Sequence, residues 1–372
     1  MKILFANPYE SSLFSFRKEL LDALIADGHV IILCVEKTQK VIKEYESKVL
    51  NIVDIKMNLK DRSIFKNLSI KKKYKKTIRK ERPDVILSFG IKPNIYCGLY
   101  SKNIPTIANI TGLGNIETNN KILNYLIIHL YRKSFKNVDC VFFQNEDEYE
   151  FFKKHKIPVN SYKIIPGSGV NTEKYFPINN ELDKEKRYFL YASRAIKEKG
   201  FNLLVDAVPK VVETQKNAHF IFLSAEEDVL ADQTAKIIFA KYQDYVTILP
   251  RIDDMNKLYN KIHFLVSPSF YKEGISNVLL ESLSCGRPII TTMDNSGCKE
   301  TLIENVNGYG IISNDLNSLV NALVRACNTP VDQIISMGKN GREFVMKKFQ
   351  RQFVIDAYFD TLNHLMQLTK KI

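Results

Sequence analysis

The residues best placed to do chemistry lie in one stretch, SPSFYKEGISNVLLESLSCGRPIITT, residues 267–292. Glu273 and Glu281 stand there with seven residues between them, and Gly274, Ile275 and Ser276 follow the first acid. The pattern reads as strand, loop, helix, with Ser276 or Asn277 as the cap and Glu281 about one turn inside the helix. Backbone N–H groups at a helix start suit an anion. One acid in the loop and one in the helix cannot readily share a metal, but they can straddle an elongated ligand. Carboxylates accept hydrogen bonds from vicinal hydroxyls such as those of a ribose or hexose.

A second cluster sits in ASRAIKEKGFNLLVDA, where Arg194 and Lys199 flank a turn between an apolar run and a helix. A guanidinium fork and an ammonium beside a helix N-terminus suit a diphosphate. After VTILP, Arg251 and Ile252 could border a base through their backbone groups. In the first half, NITGLGN places Thr111, Gly112 and Gly114 after an apolar run, and the glycines permit close approach of backbone to ligand. The GLGNIE and GSGVNT runs lack the third glycine of a dinucleotide fingerprint, and neither a G-x-x-x-x-G-K-[ST] loop nor a G-x-S-x-G elbow occurs. The six histidines are scattered without i, i+4 pairs, and the six cysteines form no C-x-x-C, so no metal centre or disulfide framework is expected.

These loops need strands to follow. KILFAN, VIILCV, DVILSFG, IPTIANIT and VDCVFFQN alternate with helix-period segments, and so do YFLYAS, HFIFLS, VTILP, HFLVSPS and PIITTM. Strands that are apolar nearly throughout imply parallel sheets covered on both faces. Residues 166–187, rich in Pro, Gly, Asn and charge, read as a linker between the two series. The expected fold is therefore α/β, two doubly wound Rossmann-like domains facing a central cleft. The expected domains are 1–172 and 173–348, with a C-terminal helical segment 349–372 carrying an apolar stripe of Phe353, Ala357, Leu362 and Leu365. In the first helix, Phe16, Leu20 and Leu24 share a stripe and Gly28 is the expected C-cap.

The 372 residues carry a net charge of +13, which points to an anionic partner without choosing among nucleotide, nucleic acid and lipid. Lys60–Arg82 holds eleven Lys or Arg against two acids, and Ile64, Leu68, Ile70, Tyr74 and Ile78 give it an apolar side. Its Lys71–Arg82 part could lie on an anionic membrane surface or be a solvated helix face. No nucleic-acid-binding module accompanies it, so no nucleic-acid partner is expected. The N-terminus reads as a strand rather than a signal peptide, and no run is long enough to span a bilayer; a cytoplasmic location is expected.

Taken together, YKEGISNVLLE resembles the Glu-x7-Glu signature of retaining glycosyltransferases of family 4, which have the GT-B fold. ASRAIKEKGFNLLVDA is similar to that family's diphosphate loop, PGSGVNTEKYFP to its interdomain segment, and GREFVMKKF to its C-terminal helix. SLFSFRKELLDAL, IKPNIYCGLYSKNIPTIANITGLGN and FFQNEDE resemble bacterial transferases of cell-surface glycan assembly, among them N-acetylgalactosaminyltransferases that act on undecaprenyl-diphosphate-linked sugars. The resemblance implies a UDP-sugar donor, most readily a UDP-N-acetylhexosamine, and a lipid-linked glycan acceptor, with no metal or other cofactor. It implies that Arg194 and Lys199 bind the donor diphosphate, and that Glu273 and the Gly274–Ser276 amides hold the transferred sugar and β-phosphate. It also implies that Glu281 binds the ribose, and that Arg251 and Ile252 border the base. Many members have a histidine in a later N-terminal loop and a Gly-Gly turn after the first strand. Here those loops read NITGLGN and NPYESSLF, so the acceptor-side catalytic group stays open. A sugar-nucleotide epimerase and a non-catalytic binding protein of the same fold are the alternatives.

Overall fold

The computed structural model describes residues 1–56, 64–113, 121–178, 181–224, 226–250, 252 and 254–369. Two compact units emerge: Met1–Ser168 with Gln352–Ile372, and Gly169–Arg351. The expected boundaries at 172/173 and 348/349 sit a few residues away. Residues 169–172 belong with the second unit because Val170 pairs with Gln350, its N–H donating to Phe349 while its carbonyl accepts from Arg351.

The first unit runs β1 (Lys2–Ala6), α1 (Glu10–Ser12), α2 (Lys18–Ala26), β2 (Val30–Val35), α3 (Gln39–Tyr45), β3 (Asn51–Asp54), α4 (Ile64–Glu81), β4 (Val85–Phe89), α5 (Ile91–Tyr100), β5 (Thr106–Asn109), α6 (Lys121–Ser134), β6 (Cys140–Phe143), α7 (Glu146–Lys154), β7 (Tyr162–Ile164). Its seven strands are all parallel, in the order β3-β2-β1-β4-β5-β6-β7. The inner strands β1, β4, β5 and β6 are buried at nearly every position, as a sheet covered on both faces requires. β3 and β7 are short edge strands whose residues are at most half-buried, so they lack the apolar run that announces a strand.

The second unit runs β8 (Arg187–Tyr191), α8 (Phe201–Thr214), β9 (Ala218–Leu223), α9 (Glu226–Leu230), α10 (Gln233–Lys241), β10 (Val246–Leu249), α11 (Met255–Tyr259), β11 (Phe264–Ser267), α12 (Asn277–Ser284), β12 (Ile289–Thr292), β13 (Gly308–Ile311), α13 (Leu316–Cys327), α14 (Val331–Lys348). Six parallel strands follow the order β10-β9-β8-β11-β12-β13. In both sheets the chain reverses direction beside its first strand. Such switch points, at the carboxyl ends of the strands, are where open α/β sheets bind ligands.

The C-terminal segment 349–372 is one helix, separate from the helix before it. α14 ends at Lys348, and α15 (Arg351–Thr369) packs on the first unit. The buried stripe of α15 is Val354, Ile355, Tyr358, Leu362 and Leu365, whereas Phe353 is 41% exposed. The expected stripe was out of phase at its start because helical phase restarts at Arg351. A one-turn π-helix, Leu13–Arg17, likewise shifts the phase before α2, burying Leu13 and Arg17 and leaving Phe16 only half-buried. Gly28 has φ +78°, as a helix-ending glycine does. On α4, Ile70, Tyr74 and Ile78 are buried, but Leu68 is exposed; the side chain of Ile64 lies outside the described residues. All six cysteines are free and buried.

Candidate functional site in the second unit

Arg194 and Lys199 lie in the loop after β8, and Glu273 in the loop after β11, its neighbour in the sheet. The two loops are held together by backbone and side chain. Phe270 N–H donates to the Glu198 carbonyl at 3.0 Å, and the Ser269 hydroxyl donates to the same carbonyl at 3.5 Å. Gly200 makes the approach possible. It has φ +73°, and a Cβ there would stand 2.2 Å from the Pro268 carbonyl oxygen.

That approach brings Lys199 onto Glu273, with Nζ donating to Oε2 at 2.5 Å. Both side chains are mostly shielded, 11% and 20% exposed, so the ion pair is screened less than a surface pair. The ammonium also lies 5.2 Å from the centre of the Tyr271 ring. Glu273 Oε1 is buried with no hydrogen-bond partner, an acceptor available to a ligand hydroxyl. Arg194 is exposed. Its charge reaches both Tyr191 and Tyr271, as does that of Glu273. Among the described residues Arg194 has no carboxylate at ion-pair distance. The result is two cations and one carboxylate converging at the carboxyl edge of β8 and β11.

Gly274, Ile275 and Ser276 are buried and lead into α12, with Ser276 at the N-cap. The Ser276 side chain makes no capping hydrogen bond, contrary to expectation, so the cap is conformational only. Glu281 lies in the second turn of α12. Its carboxylate accepts from the Tyr259 hydroxyl at 2.9 Å and also from Tyr175. Burial pushes its pKa above the usual carboxylate range, and the two phenols partly offset this. A carboxylate has about four lone-pair sites, so two phenols leave acceptor capacity for a diol. Ile252 is half-buried after β10; Arg251 lies outside the described residues.

Sequence reasoning missed the residues that hold this arrangement. Asn295, nearly fully buried, donates through Nδ2 to the carbonyls of Ser269 at 2.9 Å and Tyr271 at 3.1 Å. Thr292 Oγ1 donates to the Ser269 carbonyl at 2.7 Å. Gly297, at φ +84°, packs so tightly that a Cβ would stand 1.7 Å from the Gly274 carbonyl oxygen. The run DNSGCKE signals a turn, and nothing local says what packs on it. Tyr175 and Tyr259 carried no signal either, since each is remote in sequence from Glu281.

In the first unit, Thr111 and Gly112 follow β5, with Thr111 exposed and Gly112 at φ +111°. Gly114 lies outside the described residues. Beneath this loop is Glu148 on α7, 2% exposed, whose Oε2 accepts from Gln144 N–H at 2.7 Å. Burial pushes its pKa up to about 8, with the backbone N–H groups of Gln144 and Gly112 opposing. Among the described residues no group of three His, Cys, Asp or Glu side chains is placed to hold a metal ion.

Two parallel-sheet units with charged loops at the strand ends have the architecture of an open α/β enzyme. The first unit matches the family model for glycosyl transferase 4-like domains over residues 2–145, and the second that for glycosyl transferases group 1 over residues 186–329. The chain belongs to the family 4-like glycosyltransferases of the GT-B fold and is a hexosyl-transferring enzyme. It is 25% identical over 329 residues to N,N'-diacetylbacillosaminyl-diphospho-undecaprenol alpha-1,3-N-acetylgalactosaminyltransferase of Campylobacter jejuni, spanning 83% of this chain and 84% of that one. It is 23% identical over 297 residues to an Escherichia coli enzyme, UDP-Gal:alpha-D-GlcNAc-diphosphoundecaprenol alpha-1,3-galactosyltransferase, covering 74% and 73% of the two chains. Sucrose-phosphate synthase from Thermosynechococcus elongatus shares the fold with a TM-score of 0.83 at 18% identity, over 99% of this chain and 100% of that one. These likenesses give no support to the epimerase alternative.

Proposed function

We propose that the chain is a retaining glycosyltransferase that moves an N-acetylhexosamine from a UDP-sugar to a lipid-linked glycan acceptor, in the assembly of a bacterial surface polysaccharide or glycan. The observation that carries it is the junction of Arg194, Lys199 and Glu273 at the carboxyl edge of β8 and β11. Its substrate classes follow those of the two relatives, both named for an undecaprenyl-diphosphate-linked acceptor.

Each role follows from chemistry. As the C1–O bond of the donor breaks, negative charge grows on the departing diphosphate, and Arg194 and Lys199 stabilise it from fixed positions. Those cations take the part a metal plays elsewhere, so no metal is required. Glu273 positions Lys199 with one oxygen and offers the other to the transferred sugar. The Gly274–Ser276 amides face the β-phosphate, Glu281 takes the ribose diol, and Arg251 and Ile252 border the base. Thr111, Gly112 and Gly114 serve the acceptor.

No described helix is long and apolar enough to cross a membrane. The exposed cations of α4 dock the enzyme on the inner face of the plasma membrane, each contributing about 1 kcal/mol near an anionic surface. The test is a screen of UDP-sugars, read as UDP release with a polyprenyl-diphosphate-linked acceptor. Arg194→Ala and Lys199→Ala should each abolish most of the turnover; full activity in both would overturn the assignment.

A further inference from the structure

α5 packs between α4 and α6, so the three helices form one continuous surface on the first unit. Its two outer members differ in an unusual way. On α4, Lys72, Lys76, Arg79 and Lys80 are exposed at helical spacing and, with Lys75, line a shallow hollow of about 440 Å³. Among the described residues Lys72, Lys76 and Arg79 have no carboxylate at ion-pair distance. α6 is apolar on two sides. Its inner side, with Tyr131 fully buried and Ile127, Ile128 and Leu130 beside it, packs into the core. Its outer side presents Ile122, Tyr125 and Leu126 at i, i+3 and i+4, which are 83%, 68% and 51% exposed. One turn on, His129 stacks against Tyr125 with ring centres 6.5 Å apart.

Singly exposed apolar residues are ordinary, but three on one helical stripe form a patch that needs an occupant. A water-facing helix side normally carries polar residues. The neighbouring cations select the occupant. A second copy of a chain with net charge +13 would bring a second set of lysines toward the first. An anionic lipid surface compensates the lysines and accepts the apolar side chains. Tyrosine, with an apolar ring and a polar tip, suits the boundary between headgroups and acyl chains.

We infer that α6 is a lipid-entering ridge, with Ile122, Tyr125 and Leu126 seated at the headgroup–acyl boundary of an anionic bilayer while the cations of α4 lie over the headgroups. The inference rests on the membrane-docked reading above and adds the residues that enter the lipid. It implies two separable components of binding: a salt-sensitive one from α4 and a salt-resistant one from α6.

The experiment is co-sedimentation of the full chain with phosphatidylglycerol–phosphatidylethanolamine vesicles across a salt series. Ile122→Ser/Leu126→Ser and Lys72→Gln/Lys76→Gln are measured beside the wild type. The wild type should keep residual binding at high salt. The α6 variant should lose that residual binding and bind at least about a hundredfold more weakly overall, since burying each of the two apolar side chains is worth more than about tenfold. The α4 variant should lose mainly the salt-sensitive part. Unchanged binding of the α6 variant, or no vesicle binding by the wild type, overturns the inference. So does a lipid-free dimer, seen by light scattering, that the α6 variant converts to monomer. Transfer to a short, water-soluble acceptor separates this from the functional reading. If the wild type transfers sugar there but ignores vesicles, only the ridge fails; if it binds vesicles but transfers to no acceptor, only the enzyme reading fails. Unfolding temperatures should match, because the substituted side chains are exposed.

Discussion

Gly297→Ala tests whether the packing beneath the Glu273 loop sets activity. Gly297 has φ +84°, and an added Cβ would stand 1.7 Å from the Gly274 carbonyl oxygen and 2.8 Å from that of Glu273. Relief to 3.0 Å requires the Gly274 carbonyl to retreat by about 1.3 Å. The left-handed conformation costs a non-glycine residue about 1–2 kcal/mol, and overpacking adds about 1–3 kcal/mol. In a unit of this size each kcal/mol lowers the unfolding temperature by roughly 2–4 °C. The functional effect should exceed the structural one, because a displacement of about 1 Å at reacting groups costs on the order of 100-fold in rate. Gly28→Ala is the control. It has φ +78° with nothing within 4 Å of the added Cβ, so it carries the strain without the clash. The assay is donor-dependent UDP release at a temperature where both variants are folded by calorimetry. A large loss in Gly297→Ala with full activity in Gly28→Ala is expected. Full activity in Gly297→Ala would refute the idea that this contact positions the Glu273 loop.

Other substitutions probe single charges. Lys199→Ala should lower turnover by about 10²–10³, and Arg194→Ala should follow it in kind, as removal of a charge-stabilising donor does; steady-state kinetics with saturating acceptor reads both. Tyr259→Phe removes a donor to Glu281 at 2.9 Å, so the Glu281 pKa should climb further and donor affinity should weaken progressively as pH falls, measured as KM against pH. Glu148 holds its proton up to about 8 in the folded state against 4.5 for a free carboxyl, so the folded state binds the extra proton. Stability is therefore greatest at low pH and falls as pH rises through that window. Glu148→Gln keeps an acceptor for Gln144 N–H and should flatten this dependence; equal destabilisation at both ends of the window, by calorimetry, would contradict it.

The sequence showed the strands and loops because those signals are local. β1, β4, β8 and β11 are mostly apolar runs, and the Lys199-Gly200 pair sits where a strand gives way to a helix. β3, β7 and β13 escaped notice for physical reasons: the first two are short edges, and β13 is the glycine-rich run Gly308–Ile311. Its glycines are required, since a Cβ at Gly308 would stand 2.1 Å from the Ile289 carbonyl oxygen. Around the candidate site, the acids and cations could be picked out by type and spacing. The supports could not: Tyr175, Tyr259, Asn295 and Gly297 act on residues brought close only by the fold. The spacing of Glu273 and Glu281 likewise hides their different surroundings. Glu273 faces a cation and keeps one oxygen free, whereas Glu281, half-buried on a mostly buried helix, is clasped by two phenols.

The most direct measurement is the anomeric configuration of the product, read by NMR after incubation with an α-linked UDP-N-acetylhexosamine and a polyprenyl-diphosphate-linked acceptor. Acceptor-dependent UDP release with an α-linked product, lost in Lys199→Ala, is the expected result. A β-linked product, or no transfer from any UDP-sugar to any lipid-linked acceptor, would contradict it.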